Sequence, residues 1–339
     1  MWQGKSADLI PLGDGLNFST PLDRVEGTVV PTSLFFVRCN YPPASPAADA
    51  WELRIDGRVR RPLTIRLADL QGLPTRTNEV WMECAGNGRS HFQPPAEGNQ
   101  WNDFAVSSAV FKGVSLSTLL ERVEIESDAI EVVGTGADSP EFQRGLPLAV
   151  AMQPDVLLAF EMNGEPIPSP NGGPVRLVVP RWAGIASVKW PIRLEVVNRP
   201  FAGYYNAQRY IFVDAEGRTQ RTVRELPVKS VIAWPAEGAV LPRKEHTLFG
   251  FAWSGNGVVE RVDVSTDGCA TWRAARLARG GPLGWTRWEL DWTPAQSGTV
   301  RIASRATDSA GNVQPVQAVW NKFGYEMNAI VQREVVVGD

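Results

Sequence analysis

The sequence predicts an α+β chain, a region of mixed helix and sheet followed by an antiparallel β-sandwich of immunoglobulin type. Length is the first ground: 339 residues exceed what a single core fills, which places about two domains here, at residues 1–226 and 227–339. Periodicity is the second. Before about Val228, segments at helical spacing alternate with compact apolar runs. After it, short alternating strands follow one another between Gly, Pro, Asn and Asp turns.

The first forty residues read as extended and loop-like, ending in LFFVRCNYPPASP. There an apolar run meets a proline-rich break, so a strand is expected to leave the core with Arg38 at its exit. WELRIDGRV follows as a strand and turn, and LTIRLADLQGLP as a strand edge leading into a short helix stopped by Gly72 and Pro74. VWMEC suits a buried strand. VSLSTLLERV carries apolar residues at helical spacing behind Ser115, while AIEVVGTGAD and PVRLVVPRWAG have the runs of buried strands. In the tail, VKSVIAW, TLFGFAW, VERVDVSTDG, TWRAARL, WTRWELDW and TVRIASRATDSAGN are the sandwich strands. Trp234, Trp253, Trp272, Trp285, Trp288, Trp292 and Trp320 are assigned to the core between its sheets.

Hydrophobic residues make up 43% and charged residues 21%, with a formal net charge of -3, which excludes disorder and argues against nucleic acid as a partner. No apolar run is long enough to span a bilayer, and the opening MWQGKSADLIPLGDG lacks the basic and apolar regions of a secretory leader. The expectation is a soluble protein without membrane insertion, periplasmic if a leader has been removed and cytoplasmic otherwise. Neither G-x-G-x-x-G opening a helix after a strand nor G-x-x-x-x-G-K-[ST] occurs, so no dinucleotide or P-loop site is supported. Cys39, Cys84 and Cys269 are too few and too far apart for a disulfide framework, and no C-x-x-C or C-x-x-C-H is present. His91 and His246 are the only histidines, which excludes histidine-rich metal sites and a bis-histidine haem.

Residues 80–92, VWMECAGNGRSHF, carry the chemistry to be explained. Gly86, Asn87 and Gly88 can take the positive φ of a sharp reversal, so Cys84 falls where a rigid strand ends. On this local pattern the bland reading is a β-hairpin whose thiol fills core. The alternative is a metal thiolate whose other ligands come from a cofactor that brings its own, for which a molybdopterin dithiolene is one candidate. Arg89 is placed either to lower the thiol pKa or to fork onto an oxyanion.

ECAGNGR (83–89), FFVRCN (35–40), LLAFEMNGEPIP (157–168), GPVRLVVP (173–180) and VKW (188–190) together resemble the molybdenum sulfite oxidase family. VDVSTDGCATW, RATDSAGNVQP and WNKFGY resemble the immunoglobulin-like dimerisation domain of that family, so the likeness covers nearly the whole chain. It implies a molybdopterin-binding catalytic domain and a possible homodimer. It also implies that Cys84 is the one protein ligand of molybdenum, beside a pyranopterin dithiolene. Tyr210 in YNAQRYIF matches the active-site tyrosine, and Arg38, Arg89 and Trp101 match residues lining the anion pocket. Tyr210, Arg38 and Arg89 are thus the implied catalytic set. Arg176 and Lys189 match positions near the cofactor phosphate, with Phe36, Arg38, Asn40, Asn171 and Ser187 completing the implied cofactor-binding set.

The implied reaction is oxo transfer converting sulfite to sulfate, with electrons leaving to an external one-electron acceptor, a c-type cytochrome or another small redox protein. Arginines suit a dianionic substrate because they donate in pairs and stay charged. The chain also departs from the family. Arg38-Cys39-Asn40 stands where many relatives read Arg-Asn-His, Asn171 where some place a histidine, and Gly88 where eukaryotic relatives carry arginine, a bacterial style of site. NAIVQREVVV replaces a Trp-His-Arg, leaving Arg333 as the candidate for the C-terminal pocket arginine. Nitrate or another oxo-substrate reduction within the same family, a sulfoxide reductase, and a metal-free binding module of a different class are the competing readings.

Overall fold

The computed structural model describes Trp2 and residues 4–338. The region before Val228 is built on two five-stranded sheets. One is antiparallel and runs Glu165–Pro166, Leu157–Met162, Val106–Ser115, Arg76–Glu83, with Arg176–Val178 also pairing Leu157–Met162. The other runs Leu63–Arg66, Glu52–Gly57, Pro191–Val197, Glu131–Gly136, Gln143–Pro147, and its Glu52–Gly57 and Pro191–Val197 pair in parallel. Helices are short. Leu67–Gln71 follows its strand directly and stops at Gly72, and Leu116–Arg122 buries Leu116, Leu119 and Leu120, the helical-spacing set behind Ser115.

From Lys229 the chain forms two facing sheets, as the alternating tail predicts. Lys229–Trp234, His246–Trp253, Thr286–Trp292 and Arg276–Arg279 make the first. Val240–Leu241, Arg333–Val337, Gly298–Asp308, Val259–Ser265 and Arg273–Ala274 make the second. Leu248, Ala252, Trp288, Leu290 and Trp292 meet Val262, Val264, Ile302, Ala306 and Val335 between them.

Much of the second face of the first of these sheets is also covered. In His246–Trp253, Leu248, Gly250 and Ala252 point to the sandwich core, while Phe251 and Trp253 join the core of the preceding region together with Val231, Ala233 and Trp285. Assignment of every tail tryptophan to the space between the sheets therefore needs correction. Trp288 and Trp292 lie there, Trp253 and Trp285 seal the contact between the two regions, and Trp234, Trp272 and Trp320 are only partly buried.

Two further expectations change. The apolar run LFFVRCN forms no strand beyond a single bridge from Val37 to Phe18, because its backbone is held by side chains: Phe36 N–H donates to Ser107 Oγ at 3.0 Å and Cys39 N–H to Asn17 Oδ1 at 3.0 Å. The turn after Glu83 is not the tight turn of a short hairpin. Arg76–Glu83 pairs with Val106–Ser115, and the intervening chain turns at Gly88, with φ of 83°, into one 3₁₀ turn, Arg89–His91. Among the described residues, no helix is long and apolar enough to cross a membrane.

Candidate active site

Cys84 follows the C-terminal end of the edge strand Arg76–Glu83, 7% exposed, where the strand's backbone ladder gives way to turn hydrogen bonds. Its N–H donates to Ala105 O at 2.9 Å, and its carbonyl accepts from Asn87 N–H at 2.9 Å. Asn87 organises the turn: Nδ2 donates to Glu83 Oε1 at 2.8 Å and to Asp103 O at 3.2 Å, and Oδ1 accepts from Ala105 N–H at 2.9 Å. Glu326 N–H closes the loop from the far side by donating to Ala85 O at 2.9 Å. The thiol opens onto two adjoining cavities that share Arg38, Asn40, Cys84 and Tyr210 in their walls.

The inner cavity is bounded by Phe36, Asn171, Arg176, Ser187 and Lys189, with Met82, Cys39 and Asp138. Its cations hydrogen-bond to neutral partners. Arg176 donates Nη1 to Asn171 O at 2.7 Å and Nη2 to Met82 Sδ at 3.0 Å, and its Nε has no partner. Burial pulls its guanidinium down to about 10. Lys189 donates to Cys39 Sγ and to Pro170 O, each at 2.9 Å, and burial holds its ammonium below the usual lysine value although Cys39 opposes the shift. Behind Asn171, Lys5 donates to Thr32 O, Phe35 O and Asn171 Oδ1, and burial aided by Lys189 lowers it to about 7. Cations buried among neutral acceptors are costly and fit an anionic occupant, which restores what burial removes. Asp138, the one acid in this wall, carries an unpartnered Oδ1 and is raised by desolvation, so it suits an N–H donor. Ser187 Oγ accepts from Val179 N–H at 3.0 Å, which leaves its O–H as a donor, and its carbonyl accepts from Arg176 Nη2 at 3.3 Å.

The outer cavity adds Arg89, Trp101, Tyr205, Arg209 and Tyr325. Arg89 is 6% exposed, with Nε donating to Phe323 O at 2.7 Å and Nη1 to Asn99 O at 2.6 Å, and its guanidinium carbon lies 5.3 Å from the Tyr325 ring centre. It threads between glycines: a Cβ on Gly86 would stand 2.6 Å from its Cζ, and one on Gly324 2.6 Å from its Cγ. Arg38 donates Nη2 to Asn40 Oδ1 at 2.6 Å and Nη1 to Asn17 Oδ1 at 3.3 Å and to the carbonyl of Cys39. Tyr210 stacks on Tyr325, centroids 5.1 Å apart and planes 14° apart, and holds the left-handed φ of 54°. Such a conformation in a bulky residue is kept only where its surroundings enforce it. Burial pushes Tyr325 and Tyr205 well above the ordinary phenol value, so both stay protonated.

Of the residues singled out in the sequence, eleven of twelve line these two cavities; Arg333 does not. It lies in the strand Arg333–Val337, donates to Pro235 O at 2.7 Å and packs 5.6 Å from the Phe104 ring, with Asp103 as its opposing charge. Its place as a pocket arginine is corrected: strand pairing to Ile302 fixes it in the sandwich. The residues not foreseen are Tyr325, Arg209, Asp138 and Lys5. Two had a signal, since Tyr325 ends the quoted WNKFGY and Arg209 precedes Tyr210 in YNAQRYIF.

Residues 40–205 match the family described as oxidoreductase molybdopterin binding domain, and residues 220–337 match the Mo-co oxidoreductase dimerisation domain. Fold and site thus define a molybdopterin-dependent oxidoreductase, and the uncompensated cations and unpartnered Asp138 of the inner cavity fit a cofactor that bears both a phosphate and ring N–H groups. Sulfite oxidase of Gallus gallus is 35% identical over 329 residues, 88% of this chain and 71% of the chicken protein. Mitochondrial sulfite oxidase of Mus musculus is 34% identical over 334 residues, covering 90% of this chain but 61% of the mouse protein's length. The crystal structure of the sulfane dehydrogenase SoxCD from Paracoccus pantotrophus superposes with a TM-score of 0.86 at 30% identity, covering 97% of this chain and 87% of that one. The chain belongs to the sulfite oxidase family.

Proposed function

We propose that this protein oxidises sulfite to sulfate with a molybdenum–molybdopterin cofactor held in the inner cavity and liganded by Cys84. The observation that carries this reading is the position of the Cys84 thiol, at the junction of a cationic inner cavity and an outer one walled by Arg38, Arg89, Trp101 and Tyr210. Among the described residues no three His, Cys, Asp or Glu side chains gather to hold a metal, so a metal here would depend on ligands that arrive with it. When bound, the cofactor supplies the oxygen-atom transfer and takes up the electron pair.

The chain's own residues do the rest. Arg176, Lys189 and Lys5 supply positive charge for the phosphate, and Phe36, Asn171 and Ser187 shape the cavity. Arg38 and Arg89 offset the charge of the dianion, their planes fixed in advance by carbonyl oxygens, so little ordering remains to be done on binding. Tyr210, a phenol directed at both cavities, donates a hydrogen bond to a substrate oxygen. Trp101 is fully buried and keeps bulk water from that wall. Sulfite plus water gives sulfate, two protons and two electrons. The electrons leave singly to an external acceptor, for which a c-type cytochrome is proposed. The match of residues 220–337 to a dimerisation domain supports a homodimer.

The test is molybdenum analysis paired with sulfite-dependent ferricyanide reduction, on wild type and Cys84→Ser made in a host that produces the cofactor. Wild type should carry molybdenum near one per chain and turn over sulfite; Cys84→Ser should fold and show no turnover. Sulfite oxidation by Cys84→Ser at the wild-type rate would remove Cys84 as ligand. A molybdenum-loaded wild type that reduces nitrate and leaves sulfite untouched would overturn the substrate.

A further inference from the structure

Three arginines line the outer cavity, and they are not held alike. Arg38 and Arg89 are committed to carbonyl and amide oxygens, whereas Arg209 stands at the rim with its side chain 40% exposed. Its Nη1 lies 3.8 Å from Glu97 Oε2, its Nε donates to Tyr204 Oη at 3.2 Å, and its Cζ rests 4.6 Å from the centre of the Phe323 ring. Glu97 faces a second cation across the same ring: Lys322 Nζ lies 3.6 Å from Oε1 and 5.7 Å from the Phe323 centroid. The backbone ties this rim together, since Glu97 N–H donates to Lys322 O at 2.9 Å. The Phe323 carbonyl, in turn, holds Arg89.

Ion pairs this exposed and this long are weak. A dianion arriving at the rim therefore meets a guanidinium whose carboxylate partner is easily displaced, and a carboxylate that repels it until displacement occurs. Building on the proposed sulfite reaction, we propose that Arg209 recruits the oxyanion at the cavity mouth and that Glu97 is its resident competitor. The pair screens by charge: a neutral or singly charged sulfur compound releases Arg209 from Glu97 less effectively than sulfite does. Arg209 is a specificity residue on this account, with the reaction itself left to the groups around Cys84.

The experiment is steady-state sulfite kinetics on the cofactor-loaded enzyme, as a function of ionic strength, for wild type, Arg209→Gln, Arg209→Lys and Glu97→Gln. Arg209→Gln should raise KM about tenfold, the low end for a charge-assisted contact at a half-exposed site, with the loss falling in KM rather than in kcat. Arg209→Lys should recover part of it. Glu97→Gln should lower KM and steepen its rise with salt, because the unopposed cation attracts the anion more strongly. A KM for Arg209→Gln within twofold of wild type would overturn recruitment, and a raised KM for Glu97→Gln would overturn competition. Should wild type fail to oxidise sulfite, the proposed function falls while this inference is still read by calorimetric titration with sulfate, which Arg209→Gln should bind about tenfold more weakly.

Discussion

Replacing Lys229 with methionine tests how firmly the sandwich holds the Cys84 turn. Lys229 is 2% exposed and reaches across from the first sandwich strand to donate to Glu83 Oε1 at 3.3 Å and to Asn87 O at 3.1 Å. Glu83 is equally buried, and its other donors are Asn87 Nδ2 at 2.8 Å and Trp253 Nε1 at 2.7 Å. Burial nevertheless outweighs these partners and raises the Glu83 pKa above the ordinary carboxylate value. The pair is thus a costly arrangement whose rupture is costlier still: removing one member strands a buried charge, at about 3–5 kcal/mol. With an unfolding entropy of about 2.1 cal/mol/K per residue, 339 residues unfolding together give about 0.7 kcal/mol/K, so Lys229→Met should lower Tm by about 4–7 °C.

The sign of its pH dependence is fixed as well. Without Lys229, Glu83 moves further up, and a carboxyl whose folded pKa exceeds its unfolded value stabilises the fold below the ordinary range and loses that contribution as pH rises. The variant should therefore lose more stability at pH 8 than at pH 5. Adding Glu83→Gln should recover much of the loss, since Asn87 and Trp253 still find an acceptor. Urea unfolding of the three proteins at both pH values is the assay. A loss under about 1 kcal/mol, or one indifferent to pH, would refute the buried pair as described.

Two other changes probe the cavities. Lys5, at about 7 in the fold against 10.5 in the open chain, binds fewer protons folded than unfolded between those values, so it makes stability rise with pH there. Cofactor-free wild type should gain about 2–3 kcal/mol relative to Lys5→Met between pH 7.5 and 9.5, and parallel profiles would contradict the placement of Lys5. Gly86→Ala asks no unusual φ of the backbone but sets a Cβ 2.6 Å from Arg89 Cζ, forcing the guanidinium aside. Sulfite KM should rise about tenfold and Tm should fall as the Arg89 hydrogen bonds to Phe323 O and Asn99 O are disturbed, and an unchanged KM would take Arg89 off the anion.

The sandwich was legible because its strands alternate and their turns carry the right residues, and the Cys84 turn because Gly-Asn-Gly after a buried strand is unambiguous punctuation. What covers a strand's second face was less so. TLFGFAW is apolar on both faces, the mark of a strand buried twice, but nothing within it says that Phe251 and Trp253 meet a different region. Lys229 and Glu83 stand 146 positions apart, and no local pattern joins a lysine to a glutamate at that distance. Arg333 shows the converse error. A residue chosen to stand for the arginine of a family motif this chain lacks landed in a strand whose register carries it away from the cavity. The rim arginine is Arg209, beside a tyrosine already singled out, and its role depends on Glu97 and Lys322 from two other segments.

The two regions cannot be regarded as catalyst and appendage. Residues 321–326 follow the sandwich strand Gly298–Asp308, yet they supply Tyr325, which stacks on Tyr210, and the Phe323 carbonyl, which fixes Arg89. Glu326 caps the Cys84 turn through its N–H to Ala85 O, and its carboxylate takes Arg221 Nη1 at 2.7 Å. Lys229 and Trp253 converge on Glu83, one residue from the thiol. Contacts between domains of one chain are ordinarily polar and permit relative motion. Here Phe251, Trp253 and Trp285 are fully buried in the contact, each large aromatic giving about 1.5–3 kcal/mol by area, so separating the regions would expose a core. Hinge motion between them would also displace Arg89, Tyr325 and the Cys84 turn at once. A site assembled from both regions and locked by a shared core is set before substrate arrives, which places the freedom to admit an anion in the exposed rim rather than in domain opening.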